Sequence, residues 1–221
     1  LARCYAAVRG AGGVCVADEV QTGLGRFGEC WWGFEQQGVV PDIVTMGKPI
    51  GNGMPLAAVV CTRALSEAFS QGPEYFNTFG GNPVCTAAGL AVLETIARED
   101  LRGNAVRVGA ALRRLLAALA ATDDGVLIGD VRGCGLFVGI DLVLDRQSRA
   151  PAPKQTSRLC SALKDNHRIL TSIDGPHDNV LVLKPPLCFS EANAATLIAA
   201  MRVELKAMRG LDLSATTHTP T

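Results

Sequence analysis

The feature that most constrains this sequence is a short apolar run over residues 14–20 that carries two adjacent carboxylates, Asp18 and Glu19, near its end. A run of that length without polar alternation is the pattern of a buried parallel strand that delivers charged groups to its carboxyl end. Residues 43–46 and 56–62 repeat the pattern, and Lys48 stands just past the second run. Gly-rich segments separate the runs, and residues 82–97 follow as an Ala-rich helix with Pro83 in its first turn. Together they predict an α/β sheet, whose ligand crevice lies outside the carboxyl ends of the strands. Asp18 and Lys48 can then meet across one site.

Past residue 100 the texture changes. A helix over residues 101–121 carries Val106, Leu112, Leu115, Leu116 and Leu119 at helical spacing and reads as a link between two lobes. Short strands follow at residues 126–131, 135–143, 169–172 and 180–183, with helices at 154–165 and 192–208. Runs of strands with helices to one side predict a smaller α+β domain. The organisation is therefore read as 1–100, a linking helix at 101–122, a small domain at 123–212 and a polar, aperiodic tail at 213–221 that is expected to be disordered. Residues 1–8 read as the last turns of a helix that closes at Gly10, Gly12 and Gly13. With neither an initiator Met nor a targeting segment, the sequence is read as a carboxyl-terminal fragment.

Composition narrows the function classes. A chain of 221 residues that is 48% hydrophobic can bury a sizeable core. Twenty-one basic residues balance twenty-one acidic ones, so no global field would draw the chain to nucleic acid or to a membrane surface. No apolar run nears the roughly 18 residues that a membrane helix needs. The expected partner is a small molecule. Eight cysteines without a C-x-x-C pair, mostly in apolar stretches, read as reduced, buried thiols of an intracellular protein. His167, His177 and His218 lack metal-ligand spacing, so no metal is expected.

Gly23, Gly25 and Gly28 in TGLGRFG satisfy G-x-G-x-x-G after a strand, which raises a dinucleotide site. That fingerprint needs an amphipathic helix at the third glycine and an acidic residue about 20 positions on. Here ECWWGFEQQG follows, and the corresponding strand end carries Lys48, so the glycines are read as loop formers. A lysine in IVTMGKPIGNG is unusual on structural grounds, because its glycines and Pro49 hold the ammonium in a tight loop. For an arbitrary lysine a solvated loop position is the default, as a turn carboxylate is for Asp18. Arg26 and Arg132 are read as partners of structural carboxylates rather than of substrate.

Three ordered segments, DEVQTGLGRFG, PDIVTMGKPIGNGMPLAAVV and FNTFGGNPVCTAAGLAVLE, resemble the class III aminotransferases, which are fold type I pyridoxal-phosphate enzymes. The resemblance continues in GDVRGCGLFVGIDLV and NVLVLKPPLCFSE, which look like the family's small carboxyl-terminal domain; residues 1–100 then correspond to part of its large domain. It implies pyridoxal 5'-phosphate as cofactor and Lys48 as the Schiff-base lysine, a nucleophile that also moves a proton at the substrate α-carbon. It implies Asp18 as the carboxylate facing the pyridinium nitrogen, where negative charge favours the protonated ring. Gln21 matches a residue on the cofactor's phenolic oxygen, and Thr78 one on the cofactor phosphate of a neighbouring subunit, which implies a homodimer with shared active sites.

Within that class the quoted motifs look most like the phospholyase branch, acting on ethanolamine phosphate or phosphohydroxylysine, with ordinary ω-aminotransferases as the alternative. A catalytically silent dimerisation module is a further alternative, against which the full set Asp18, Gln21, Lys48 and Thr78 argues. Many members carry an arginine three residues before the Pro-Pro pair that binds a substrate carboxylate. Val182 stands there, which is compatible with an amine substrate. Phospholyases tend to have a basic residue at that position and a histidine where this chain has Met54, so the substrate stays open. The resemblance also implies that the cofactor-phosphate segment lies outside this sequence, that the fragment alone is inactive, and that its large-domain sheet keeps unpaired edges and exposed apolar surface; the sequence does not choose between a mitochondrial and a cytosolic location.

Overall fold

The computed structural model describes residues 1–211, and the tail expected over 213–221 lies outside the described residues. The chain divides into two compact units, residues 1–105 and residues from 106 onward. The first begins with helix α1 (Ala2–Gly10), whose Tyr5 is buried with Cys15 and Val39. Arg9 sits in its last turn, where a cation suits the helix dipole. It bonds the Asp42 carboxylate at 2.9 Å and the Val40 carbonyl at 2.7 Å, and it lies over the Tyr5 ring. Asp42 also accepts the Cys15 amide at 2.7 Å, which fixes the starts of the first two strands against each other.

Strand β1 (Val16–Asp18) runs parallel to β2 (Ile43–Met46), with Asp18 opposite Thr45. Strand β3 (Ala58–Cys61) pairs with β2 in the antiparallel sense, which corrects the expectation of three parallel strands. The physical reason is the connection. Residues 47–57 hold only a 3-10 turn (Lys48–Ile50), and a parallel partner needs a crossover of about a dozen residues or more. The apolar runs by themselves read as buried strands, but the sheet leaves apolar surface uncovered, with Val16 51% and Val59 68% exposed. Helix α2 (Arg63–Ser70) has no counterpart among the sequence expectations; its eight residues are too few for a distinct periodic signal. Helix α3 (Pro83–Arg98) starts where Pro83 predicts, and the Asn82 side chain caps it by accepting the amides of Val84 and Cys85.

Helix α4 (Leu101–Ala120) contains the boundary between the units. Beyond it, β4 (Ile128–Cys134), β5 (Phe137–Leu142), β6 (Ser172–Asp174) and β7 (Val180–Leu183) form an antiparallel sheet in the order β4-β5-β7-β6. Helices α5 (Pro153–His167) and α6 (Glu191–Ala207) supply Leu159, Leu163, Met201 and Leu205 to a core shared with Leu112, Leu116 and Leu119 of α4 and with β5 and β7. Strand β6 starts at Ser172 rather than spanning 169–172, because its partners are Val180, Leu181 and Val182 across a tight turn in which Gly175 has φ +91°. Gly109 lets α4 meet the turn after β4, since a Cβ there would stand 2.1 Å from the Gly135 carbonyl oxygen. No helix among the described residues is long and apolar enough to cross a membrane. The cysteines are less buried than expected: Cys15 and Cys85 are buried, whereas Cys4, Cys61 and Cys188 are exposed because their segments lie at unit surfaces.

Candidate active site

Parallel, in-register pairing sends the ends of β1 and β2 to the same sheet edge, and both candidate residues lie there. Asp18 closes β1 with an exposed side chain. Its Oδ1 accepts two donors, the Val20 amide at 3.1 Å and the Thr45 hydroxyl at 3.1 Å. Lys48 follows β2 after Gly47 and adopts φ +35°, a conformation that L-residues seldom hold outside functional or tight-turn positions. Its side chain is exposed and makes no hydrogen bond or ion pair among the described residues. One edge of the first unit thus offers a carboxylate held in place and an unengaged primary amine.

The second carboxylate of the pair behaves differently. Alternation along a strand turns neighbouring side chains to opposite faces, and Glu19 is 4% exposed where Asp18 is open. Glu19 accepts the Thr22 hydroxyl at 2.6 Å and the amides of Gly33 and Phe34 at 2.8 and 2.9 Å. It therefore ties down both ends of the loop that carries Gln21, whose side chain is exposed. Arg102 holds the middle of the loop by donating to the Gly28 and Glu29 carbonyls and lying over the Trp31 ring. Gly25 (φ +77°) and Gly28 (φ +88°) make its turns, and the next helical element starts only at Gly33. This is not the strand-to-helix entry that a dinucleotide fingerprint requires. The sequence reading placed Glu19 at the strand end without this role, and missed Thr45 and Arg102; only the strand register and the folded loop bring them to these partners.

Thr78 lies in an exposed segment beside Tyr75, Phe76 and Phe79, the last two about 80% and 79% exposed. The structure does not bring it to Asp18 or Lys48 by any recorded contact. Arg132 bonds Asp130 at 3.0 Å and Asp141 at 3.3 Å on β4 and β5, a structural pairing. Burial lowers Arg26 below the ordinary guanidinium range. His167 pairs with Glu204 at 2.8 Å, His177 is exposed, and His218 lies outside the described residues. Among the described residues no group of three His, Cys, Asp or Glu side chains could hold a metal ion. In the second unit Val182 sits on β7 between Gly139 and Ser172 and lines a cavity of about 420 Å³ with Leu112, Leu170, Lys184 and Phe189.

An α/β unit with parallel β1 and β2, followed by an antiparallel α+β unit, has the fold type I architecture that solved pyridoxal-phosphate-dependent transaminases and phospholyases share. The chain belongs to the class-III aminotransferase family, which it matches over residues 6–205. It is 48% identical over 214 residues to alanine–glyoxylate aminotransferase 2-like of Drosophila melanogaster, covering 96% of this chain and 43% of that protein. It is 44% identical over 196 residues to ethanolamine-phosphate phospho-lyase homolog 1 of Caenorhabditis elegans, covering 88% of this chain and 42% of that protein. A phospholyase from Arthrobacter, solved in complex with phosphoethanolamine, superposes with a TM-score of 0.86 at 44% identity, over 91% of this chain and 47% of that one. The chain spans less than half the length of these relatives.

Proposed function

We propose that this chain is the lysine-bearing part of a pyridoxal-phosphate enzyme acting on a small amine, with phospholyase chemistry on a phosphorylated amine as its favoured branch. The observation that carries the reading is the shared edge of β1 and β2, where Asp18 keeps one carboxylate oxygen without a donor and Lys48 presents its amine. These residues fit the cofactor: a primary amine to hold its aldehyde, and an acceptor for its ring nitrogen. When bound, pyridoxal phosphate supplies an electron sink for charge left at the amine-bearing carbon of the substrate.

Lys48 would hold the cofactor through Nζ and, once released by the incoming amine, carry a proton to or from the substrate α-carbon. Asp18 would face the ring nitrogen and favour its protonated form, and Gln21 would donate to the phenolic oxygen. Thr78 would contact the cofactor phosphate of a second copy; the exposed aromatic side chains around it support a homodimer with shared sites. The domain reading, a large-domain portion over 1–100 and a small domain over 123–212, belongs to the same proposal. Val182 offers no cation to a substrate carboxylate, which favours an amine without one. The C. elegans and Arthrobacter relatives support the phospholyase branch by their names, and the Drosophila relative keeps amino transfer as the second reading.

Borohydride reduction of the full-length gene product with cofactor, followed by peptide mass mapping, tests the assignment. The pyridoxyl adduct is expected on Lys48; an adduct on another lysine overturns it. Inorganic phosphate release from ethanolamine phosphate, compared with amino transfer to a keto acid, decides the branch, and transfer without phosphate release removes the phospholyase reading.

A further inference from the structure

Asp18 is exposed, and an exposed carboxylate on a flexible Cβ–Cγ bond has no fixed direction of its own. In this chain it has one. Asp18 and Thr45 are direct cross-strand partners, and the backbone on either side is pinned because the Glu19 amide donates to the Thr45 carbonyl at 2.9 Å. From that position the Thr45 hydroxyl donates to Oδ1 of Asp18 at 3.1 Å, and the Val20 amide donates to the same oxygen at 3.1 Å. Two donors converging on Oδ1 leave Oδ2 as the acceptor presented at the strand edge. Threonine suits the task because its branched Cβ restricts χ1, so the hydroxyl is set before any ligand arrives.

Resting on the proposed role of Asp18, we infer that Thr45 is a positioning residue that orients this carboxylate for the cofactor's ring nitrogen. Strand β2 then supplies the aim of the carboxylate through Thr45, and the turn that follows it supplies the amine through Lys48, three residues later. A purely structural role predicts something else. Valine has the shape of threonine and an equal or better fit to a strand, so a residue kept only for the sheet would tolerate Thr45→Val without consequence.

The test uses the full-length gene product and three variants, Thr45→Val, Thr45→Ser and Asp18→Asn. It measures the cofactor dissociation constant, the pH profile of the bound cofactor's visible absorption, and the melting of the cofactor-free protein. Thr45→Val is expected to weaken cofactor binding about tenfold, the worth of one hydrogen bond to a charged acceptor. It should also displace the pH profile in the same direction as Asp18→Asn, by less, with the melting temperature unchanged. Thr45→Ser keeps the hydroxyl and should stay within about threefold of the parent. If Asp18→Asn alters binding and profile but Thr45→Val does not, the positioning role is refuted and the role of Asp18 stands. If Asp18→Asn also behaves as the parent, the reading of Asp18 falls. A lowered melting temperature in Thr45→Val that serine does not restore assigns Thr45 to the sheet alone and overturns the inference.

Discussion

Replacing Glu19 should release the loop that carries Gln21, and the size of the effect can be worked from its contacts. Oε2 accepts the Thr22 hydroxyl and the Gly33 amide, Oε1 accepts the Phe34 amide, and the side chain is 4% exposed. In Glu19→Gln the amide oxygen can keep the two bonds at the Oε2 position while the NH2 group faces the Phe34 N–H. One buried donor is then unsatisfied, at about 1–3 kcal/mol, and the charge assistance of the other two bonds is lost at about 1 kcal/mol more, for a total of about 2–4 kcal/mol. Glu19→Ala removes all three acceptor contacts and should cost about 3–5 kcal/mol, a large share of the roughly 5–15 kcal/mol that holds a domain folded. Both tryptophans of the chain, Trp31 and Trp32, lie in this loop, so their fluorescence reports it directly. Urea unfolding followed by tryptophan emission should give midpoints in the order parent, Gln variant, Ala variant. An alanine variant within about 0.5 kcal/mol of the parent would refute the claim that Glu19 ties the loop down.

Gly25→Ala should destabilise the same loop by about 1 kcal/mol or more, since φ is +77° and the new Cβ would stand 2.5 Å from Arg102 Cγ; a thermal melt checks it. Arg102→Ala should cost about 1–2 kcal/mol through its two carbonyl bonds and its place over Trp31, and should shift tryptophan emission to the red. In the second unit, Leu159→Ala should cost about 2–5 kcal/mol in denaturant unfolding, because Leu159 is fully buried in the core. Burial pushes Glu204 up, but hydrogen bonds from Asn166 and His167 outweigh it and hold the carboxyl below its ordinary range. A depressed carboxylate contributes stability above its unfolded pKa and loses it as pH falls through the folded one. Acid titration of stability should therefore show a loss below the ordinary carboxylate range that Glu204→Gln abolishes.

Much of the second unit was legible in the sequence. The continuous apolar run of Val180–Leu183 became a strand buried at all four positions, and Leu112, Leu116 and Leu119 recur at helical spacing and fill the core. The capped start of α3 was equally legible, because Pro83 needs no partner from elsewhere in the chain. The direction of β3 was not. A strand's own residues carry its period but not its sense, which the length of the connecting segment decides. The exposure of Val16 and Val59 does not follow from their apolar runs, since burial depends on what covers a face and not on the run itself.

The same division holds at the candidate site. Strand periodicity and the motif around Lys48 were enough to bring a lysine and a carboxylate to one sheet edge, and alternation alone sends Asp18 and Glu19 to opposite faces. Which of the two carboxylates would be enclosed, and which left open to a ligand, lay outside local reading. That depended on the loop from residue 20 to residue 34 folding back onto one face of β1 and closing its amides over Glu19. The partnership of Thr45 with Asp18 likewise exists only in the register of two strands 27 residues apart. The sequence by itself determined which chemical groups the strands carry to their ends. Only the tertiary structure decided their partners, because a hydrogen bond is set by distance in space and not by separation along the chain.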